Sequence, residues 1–156
     1  MTSPAGPLSL GSSLKLDAGD LVFDDIGDLT MVTGTAALSQ ALVLSIETQL
    51  GSDRLNSGFG FDRAALGAYA YGIHTRKEYV KMQLVRCVGL DRRVKDVREA
   101  FFQDDPRYFE LSPGLDAAAQ QQIAAAATAS REYTVYVIVE TLNSDLVTLQ
   151  TGETLG

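Results

Sequence analysis

Residues 133–151 read YTVYVIVETLNSDLVTLQT. Tyr133, Val135, Val137 and Val139 fall on one face of an extended chain, and Thr134, Tyr136, Ile138 and Glu140 fall on the other. That alternation belongs to a strand covered on one side. Asn143 and Ser144 are turn formers, and DLVTLQT (145–151) continues in the extended pattern, so the stretch predicts a C-terminal β-hairpin. Working back along the chain, VKDVREAFFQ (94–103) predicts a further strand of imperfect alternation, bulged near Asp96. Asp104, Asp105 and Pro106 predict a turn. DAAAQQQIAAAATAS (116–130) is helical by propensity but carries one large apolar residue, Ile123. It is expected to lie on the periphery, within an insertion spanning about residues 106–131.

Two stronger helices precede the sheet. In TAALSQALVLSIETQL (35–50), Leu38, Ala41, Leu42, Ser45 and Ile46 share a face, with Thr35 as N-cap and Gly51 as terminator. Val43 and Leu44 lie off that face, so cover is expected on more than one side. In TRKEYVKMQLVRCVGL (75–90), Val80, Leu84, Cys87 and Val88 form the buried stripe, with Thr75 as cap and Gly89 as terminator. Arg76, Lys77, Lys81 and Arg86 are expected on its solvated side. DLVFDDIGDLTMVTG (20–34) predicts one or two short strands, and AALGAYAYGIH (64–74) a short helix or an irregular strip. The order predicts an α+β fold: two main helices packed on a small, mainly antiparallel sheet, with an alanine-rich helical insertion and the closing hairpin.

The chain has 156 residues, enough for one domain with a core, and it is 46% hydrophobic and 21% charged. Residues 1–20, with Pro4, Gly6, Pro7, Gly11, Ser12 and Ser13, predict an arm that is flexible or ordered only on a partner, followed by a single domain over 21–156. A formal charge of −7 opposes general nucleic-acid binding. The start of the chain lacks the basic and apolar regions of a signal peptide, and no apolar run reaches membrane-spanning length. A single cysteine calls for no disulfide or oxidising compartment. The expected location is the cytoplasm, unless the protein leaves within a larger particle.

Residue types give little support for catalysis, a metal or a cofactor. His74 is the only histidine; it precedes the second helix and reads as structural or exposed. Cys87 belongs to a buried stripe, where a thiol acts as a small hydrophobe. Asp24/Asp25 and Asp104/Asp105 resemble solvated turns more than a glycosidase pair. GSDRLNSGFGFD (51–62) lacks the third glycine of a dinucleotide fingerprint, the lysine of a P-loop and the spacing of a calcium loop. It nevertheless carries Phe59 and Phe61, more apolar surface than a plain loop needs. Asp91, Arg92 and Arg93 sit where the second helix passes into a strand. There an arginine fork serves either a local surface pair or a carboxylate or carbonyl of a neighbouring subunit.

In order, GDLTMVTGTAALSQALVLSIETQLGSDRLNSGFGFD, the basic helix and LDRRVKDVREAFF form a series that resembles the sheath-initiator, or lysozyme-like baseplate wedge, family of contractile phage tails and injection systems. The resemblance covers about residues 28–104 and 133–151. Thr48, Gly51, Arg54, Phe59 and Gly60 match the family's first block in type and order. Asp91, Arg92 and Arg93 stand at its Glu-Pro-Arg motif, with only the last arginine kept outright.

The resemblance implies a structural part rather than an enzyme, present in six copies, without metal or cofactor. Its expected partners are baseplate wedge proteins, the sheath protein, and tube or hub proteins, with assembly in the cytoplasm before incorporation into a virion or injection particle. The hairpin is expected to offer an open edge to an incoming strand, with Tyr133, Val135, Val137, Val139, Val147 and Leu149 as the sheath-facing residues. Arg54, Phe59, Phe61, Asp91 and Arg93 are the expected wedge or intersubunit contacts, the two phenylalanines acting as hydrophobic pegs. Two other classes stand beside this: a cell-wall glycoside hydrolase using Glu47 and Asp53, and a free-standing homo-oligomeric binding module.

Overall fold

A computed structural model describes residues 9–68 and 71–155. Four short strands come first: β1 (Ser12–Leu14), β2 (Leu16–Asp17), β3 (Asp20–Leu21) and β4 (Met31–Thr33). The helices α1 (Gly34–Glu47), α2 (Arg63–Ala68) and α3 (Ile73–Gly89) follow. Then come β5 (Val94–Phe102), α4 (Pro106–Leu111), α5 (Ala117–Ser130), β6 (Glu132–Thr141) and β7 (Leu146–Thr154). The fold is α+β, with antiparallel sheets and a C-terminal hairpin.

The main sheet runs β5-β6-β7, so β6 is central. Tyr133, Val135, Val137 and Val139 of β6 point to the core, beside Val147 and Leu149 of β7 and Phe102 of β5. Leu38, Leu42 and Ile46 of α1 and Val80, Leu84 and Val88 of α3 complete the buried cluster. β5 shifts register twice, between Val94 and Asp96 and between Val97 and Glu99, in keeping with its broken alternation. On the opposite sheet face, Tyr108 of α4 stacks on Tyr136, and Tyr136 on Phe101, with ring centroids 5.2 and 5.6 Å apart.

Several boundaries differ from the sequence expectation. α1 starts at Gly34 and stops at Glu47, because Thr48 turns extended and its continuation pairs across the following loop. Thr35 therefore lies inside the first turn, where its carbonyl accepts from the Ser39 hydroxyl. α3 begins at Ile73 after an extended Gly72, which places Thr75 inside the helix rather than at its cap. Asp105, read as part of a turn, precedes Pro106 at the start of α4. β7 continues to Thr154, three residues past the expected end. Only Ala127 of α5 is buried, as expected of a helix with so little apolar surface.

Lys77 and Lys81 do not form a solvated side. They pair with Asp104 and Asp105, and both ammonium groups lie over the Phe102 ring, at 5.1 and 5.6 Å from its centre. These pairs fasten α3 to the chain as it leaves β5.

Of the expected N-terminal arm, residues 1–8 lie outside the described residues. From Leu10 onward the segment is held by its own chain. Leu10 is buried, Gly34 N–H donates to the Gly11 carbonyl, and β1 pairs with β4. The Gln40 amide on α1 accepts from Leu16 N–H and donates to the Leu14 carbonyl at 2.7 Å. These bonds, with one buried leucine, offset the ordering entropy that the composition alone left unmatched.

The loop after α1 closes on itself. Phe61 N–H donates to the Thr48 carbonyl at 2.8 Å, and Leu50 N–H to the Phe61 carbonyl at 3.0 Å. Phe61 is thereby driven fully into the core. Gly60 has φ +111°, and a Cβ there would lie 2.6 Å from the Thr48 carbonyl oxygen. Only glycine fits. Gly60→Ala is expected to cost about 3 kcal/mol or more in denaturant unfolding. Gly58→Ala, in open space, should stay within about 1 kcal/mol. Phe61→Ala should cost about 3–5 kcal/mol in the same measurement.

Candidate interaction surfaces

The six residues expected to face a sheath strand are gathered on one side of the sheet, and that side is the core. Both flanks of β6 are hydrogen-bonded, one to β5 and one to β7. Tyr133, Val135, Val137 and Val139 thus offer neither free backbone nor exposed side chain, and the expectation is corrected for them. Val147 and Leu149 are also buried, although they belong to a strand at the sheet's edge. The period-two pattern identifies which residues share a face, but it is silent on strand order, and here the longest apolar strand took the middle.

Among the described residues, no strand pairs with the outer flank of β7. The register is anchored by Thr141 N–H to the Asp145 carbonyl at one end and by Leu155 N–H to the Arg131 carbonyl at the other. In an antiparallel ladder successive residues alternate between facing the partner and facing away. That turns the N–H and C=O groups of Leu146, Thr148, Gln150 and Gly152 outward, and all four residues are exposed. The two sheet edges contrast. β5 is bulged twice and carries Lys95, Asp96, Arg98 and Glu99, devices that discourage pairing. β7 has no bulge and no proline, and its one charged residue, Glu153, is buried against Arg63 at 2.8 Å. Burial pushes the Glu153 carboxyl up despite that arginine.

The expected wedge contacts separate into three kinds. Arg54 is exposed on the loop's outer bend. Phe61 is a core residue, so it pegs loop to domain and not protomer to neighbour. Phe59, Asp91 and Arg93 meet at a half-open apolar groove of about 520 Å³, also lined by Leu42, Leu44 and Leu90. Arg86 of α3, read from sequence as solvated, holds the groove's loop wall by donating to the Gly60 carbonyl at 2.7 Å. Cys87 lies at the base, its sulfur 2.8 Å from the Ser45 hydroxyl.

Arg93 is occupied within the chain. Its Nε and Nη2 grip both oxygens of Asp91 at 2.9 and 2.6 Å, and Nη1 donates to the Leu10 carbonyl at 3.0 Å. The fork therefore ties the α3–β5 junction to the N-terminal segment. The residue type was legible; its acceptor, 83 residues away, was not.

Asp53 accepts from the amides of Leu55 and Asn56, which stiffens the loop. Glu47 lines a separate groove with Leu16, Ala18 and Gly19. His74 is exposed in the first turn of α3. Among the described residues, no three His, Cys, Asp or Glu side chains group closely enough to hold a metal ion, and no helix is long and apolar enough to cross a membrane.

Arg93→Ala strands the Asp91 carboxylate and the Leu10 carbonyl, so it should cost about 2 kcal/mol and speed amide exchange at residues 9–11. Arg93→Lys should recover less than half of that, because a single ammonium cannot grip both oxygens. Hydrogen bonds from Arg93 hold the Asp91 carboxyl below its ordinary value. The pair's contribution is then complete above the unfolded carboxylate pKa of about 3.9 and is lost as pH falls through the lower folded value. Unfolding measured across pH should show the gap between wild type and Asp91→Asn closing below about pH 4.

No protein-family model matches this chain, and no curated protein matches its sequence.

Proposed function

We propose that this chain is a structural subunit of the baseplate of a contractile phage tail or injection system. In this reading it sits between wedge subunits and the tube-proximal hub and templates the first sheath ring by accepting a strand. The observation that carries the reading is the β7 edge. It is regular and backed by a packed sheet, it is free of the charges and bulges that guard β5, and among the described residues no strand pairs with its outward amides and carbonyls. The ordered series Thr48, Gly51, Arg54, Phe59, Gly60 and the Asp91–Arg93 junction supplies the family context. The groove beside Phe59, Leu44 and Leu90 is the surface assigned to wedge proteins.

An incoming extended segment would draw its affinity from backbone hydrogen bonds and its register from Leu146, Thr148 and Gln150. The same geometry supplies a selective test. Gln150 N–H faces away from β6, so Gln150→Pro removes an outward donor while sparing the β6–β7 ladder. The variant is expected to melt within a few degrees of wild type and to yield particles with tubes but no attached sheath under electron microscopy. Sheaths of normal length and occupancy on that variant would overturn strand addition at this edge.

A further inference from the structure

The segment between Gly11 and Thr33 forms a small unit of two antiparallel strand pairs. β1 pairs with β4, β2 with β3, and Phe23 bridges to Leu29. Leu14 lies opposite Met31, Leu16 opposite Leu21, and Phe23 opposite Leu29. Residues opposite in an antiparallel ladder share a face, as do residues two apart along a strand. The two residues of each pair therefore share a face; Leu16 lines the groove against α1, and the other five remain substantially exposed, Phe23 by 60%. Ile26, at the tip of the turn between Phe23 and Leu29, is 83% exposed.

That tip is rigidly built. Asp24 Oδ1 accepts from the amides of Ile26 and Asp28, at 3.0 and 2.8 Å. Asp24 N–H donates to the Asp28 carbonyl, and Gly27 N–H to the Asp24 carbonyl. The other end is clamped to α1 through Gln40. An apolar residue held outward on a turn fixed by four hydrogen bonds has already met much of the ordering cost of binding.

Charge selects the occupant. Between Gly11 and Thr33 the chain carries five aspartates, Asp17, Asp20, Asp24, Asp25 and Asp28, against one lysine, Lys15. All five are exposed around the apolar face. A second copy of this face would set one acidic rim against another, which costs free energy at an interface. We propose that the 11–33 segment is a docking arm for a different protein, inserting Phe23 and Ile26 into an apolar recess rimmed by lysine and arginine. The arm is remote in sequence from the β7 edge and can be tested apart from it.

The test is a photo-crosslinking side chain in place of Ile26 in the full chain, in the cell that makes it, with the crosslinked peptide sequenced. A second crosslinker at Gln150 reports separately on the β7 edge. The expected product joins residue 26 to an apolar segment of another protein flanked by lysine or arginine. Its yield should fall at least about tenfold with Phe23→Ser and several-fold with Asp20→Asn, Asp25→Asn and Asp28→Asn combined, or in high salt. Asp24 is kept, because it builds the turn. All these positions are exposed, and unchanged thermal unfolding verifies the fold of each variant. The proposal is overturned by crosslinking to a second copy of this chain, by a crosslinked segment without basic flanks, by a yield that either set of substitutions leaves unchanged, or by no crosslink.

Discussion

The closure of the loop after α1 is the constraint on which the rest of the structure depends. Thr48 and Leu50 are joined to Phe61 by two backbone hydrogen bonds, and Gly60 makes that approach sterically allowed. Phe61 then enters the core between the helices and the sheet, with the Arg63 guanidinium over its ring at 4.9 Å. Arg63 also donates to the Ile46 carbonyl at the end of α1 and pairs with Glu153 of β7. One short segment thus joins the end of α1, the start of α2 and the last strand. It also shapes the wall of the groove, because Phe59 and Gly58 emerge where the clasp places them.

With the core secured in this way, the molecule presents three unlike surfaces. The β7 edge is regular and backbone-rich. The groove beside Leu44, Phe59 and Leu90 is concave and apolar, with the Asp91–Arg93 pair at its margin. The N-terminal 11–33 segment exposes apolar side chains among five exposed aspartates. The strongest charge networks are spent on architecture: Lys77 and Lys81 on Asp104 and Asp105, Arg93 on Asp91 and Leu10, and Lys95 and Arg98 on Glu140. Hydrogen bonds from Lys95 and Arg98 hold the Glu140 carboxyl below its ordinary value.

Much of the fold was legible because side-chain period is a local property. The alternation of Tyr133–Val139, the stripe of Val80, Leu84, Cys87 and Val88, and the sparse apolar content of residues 116–130 each describe an element's own face. Helix starts were less legible. Thr35 and Thr75 are good caps by residue type, yet Gly34 and Ile73 already adopt helical hydrogen bonding. Capping preference is worth only about 1 kcal/mol and yields to tertiary packing. The site was less legible still: an inward-facing valine looks the same on a central strand and on an edge strand.

By itself the sequence determined the α+β class, the antiparallel hairpin, the two packed helices and the residues that must be apolar on each. Those features follow from steric periods and propensities acting within a few residues of chain. Tertiary structure alone decided that β6 is central and β7, among the described residues, an edge strand, that Arg93 serves the carbonyl of Leu10, and that residues 10–20 fold back on their own domain. It also decided that Leu14 and Met31, and Phe23 and Leu29, meet as opposed pairs that stay exposed. Each of these depends on which distant backbone groups pair, and that is settled by the free energy of the whole packed arrangement rather than by any local run of residues.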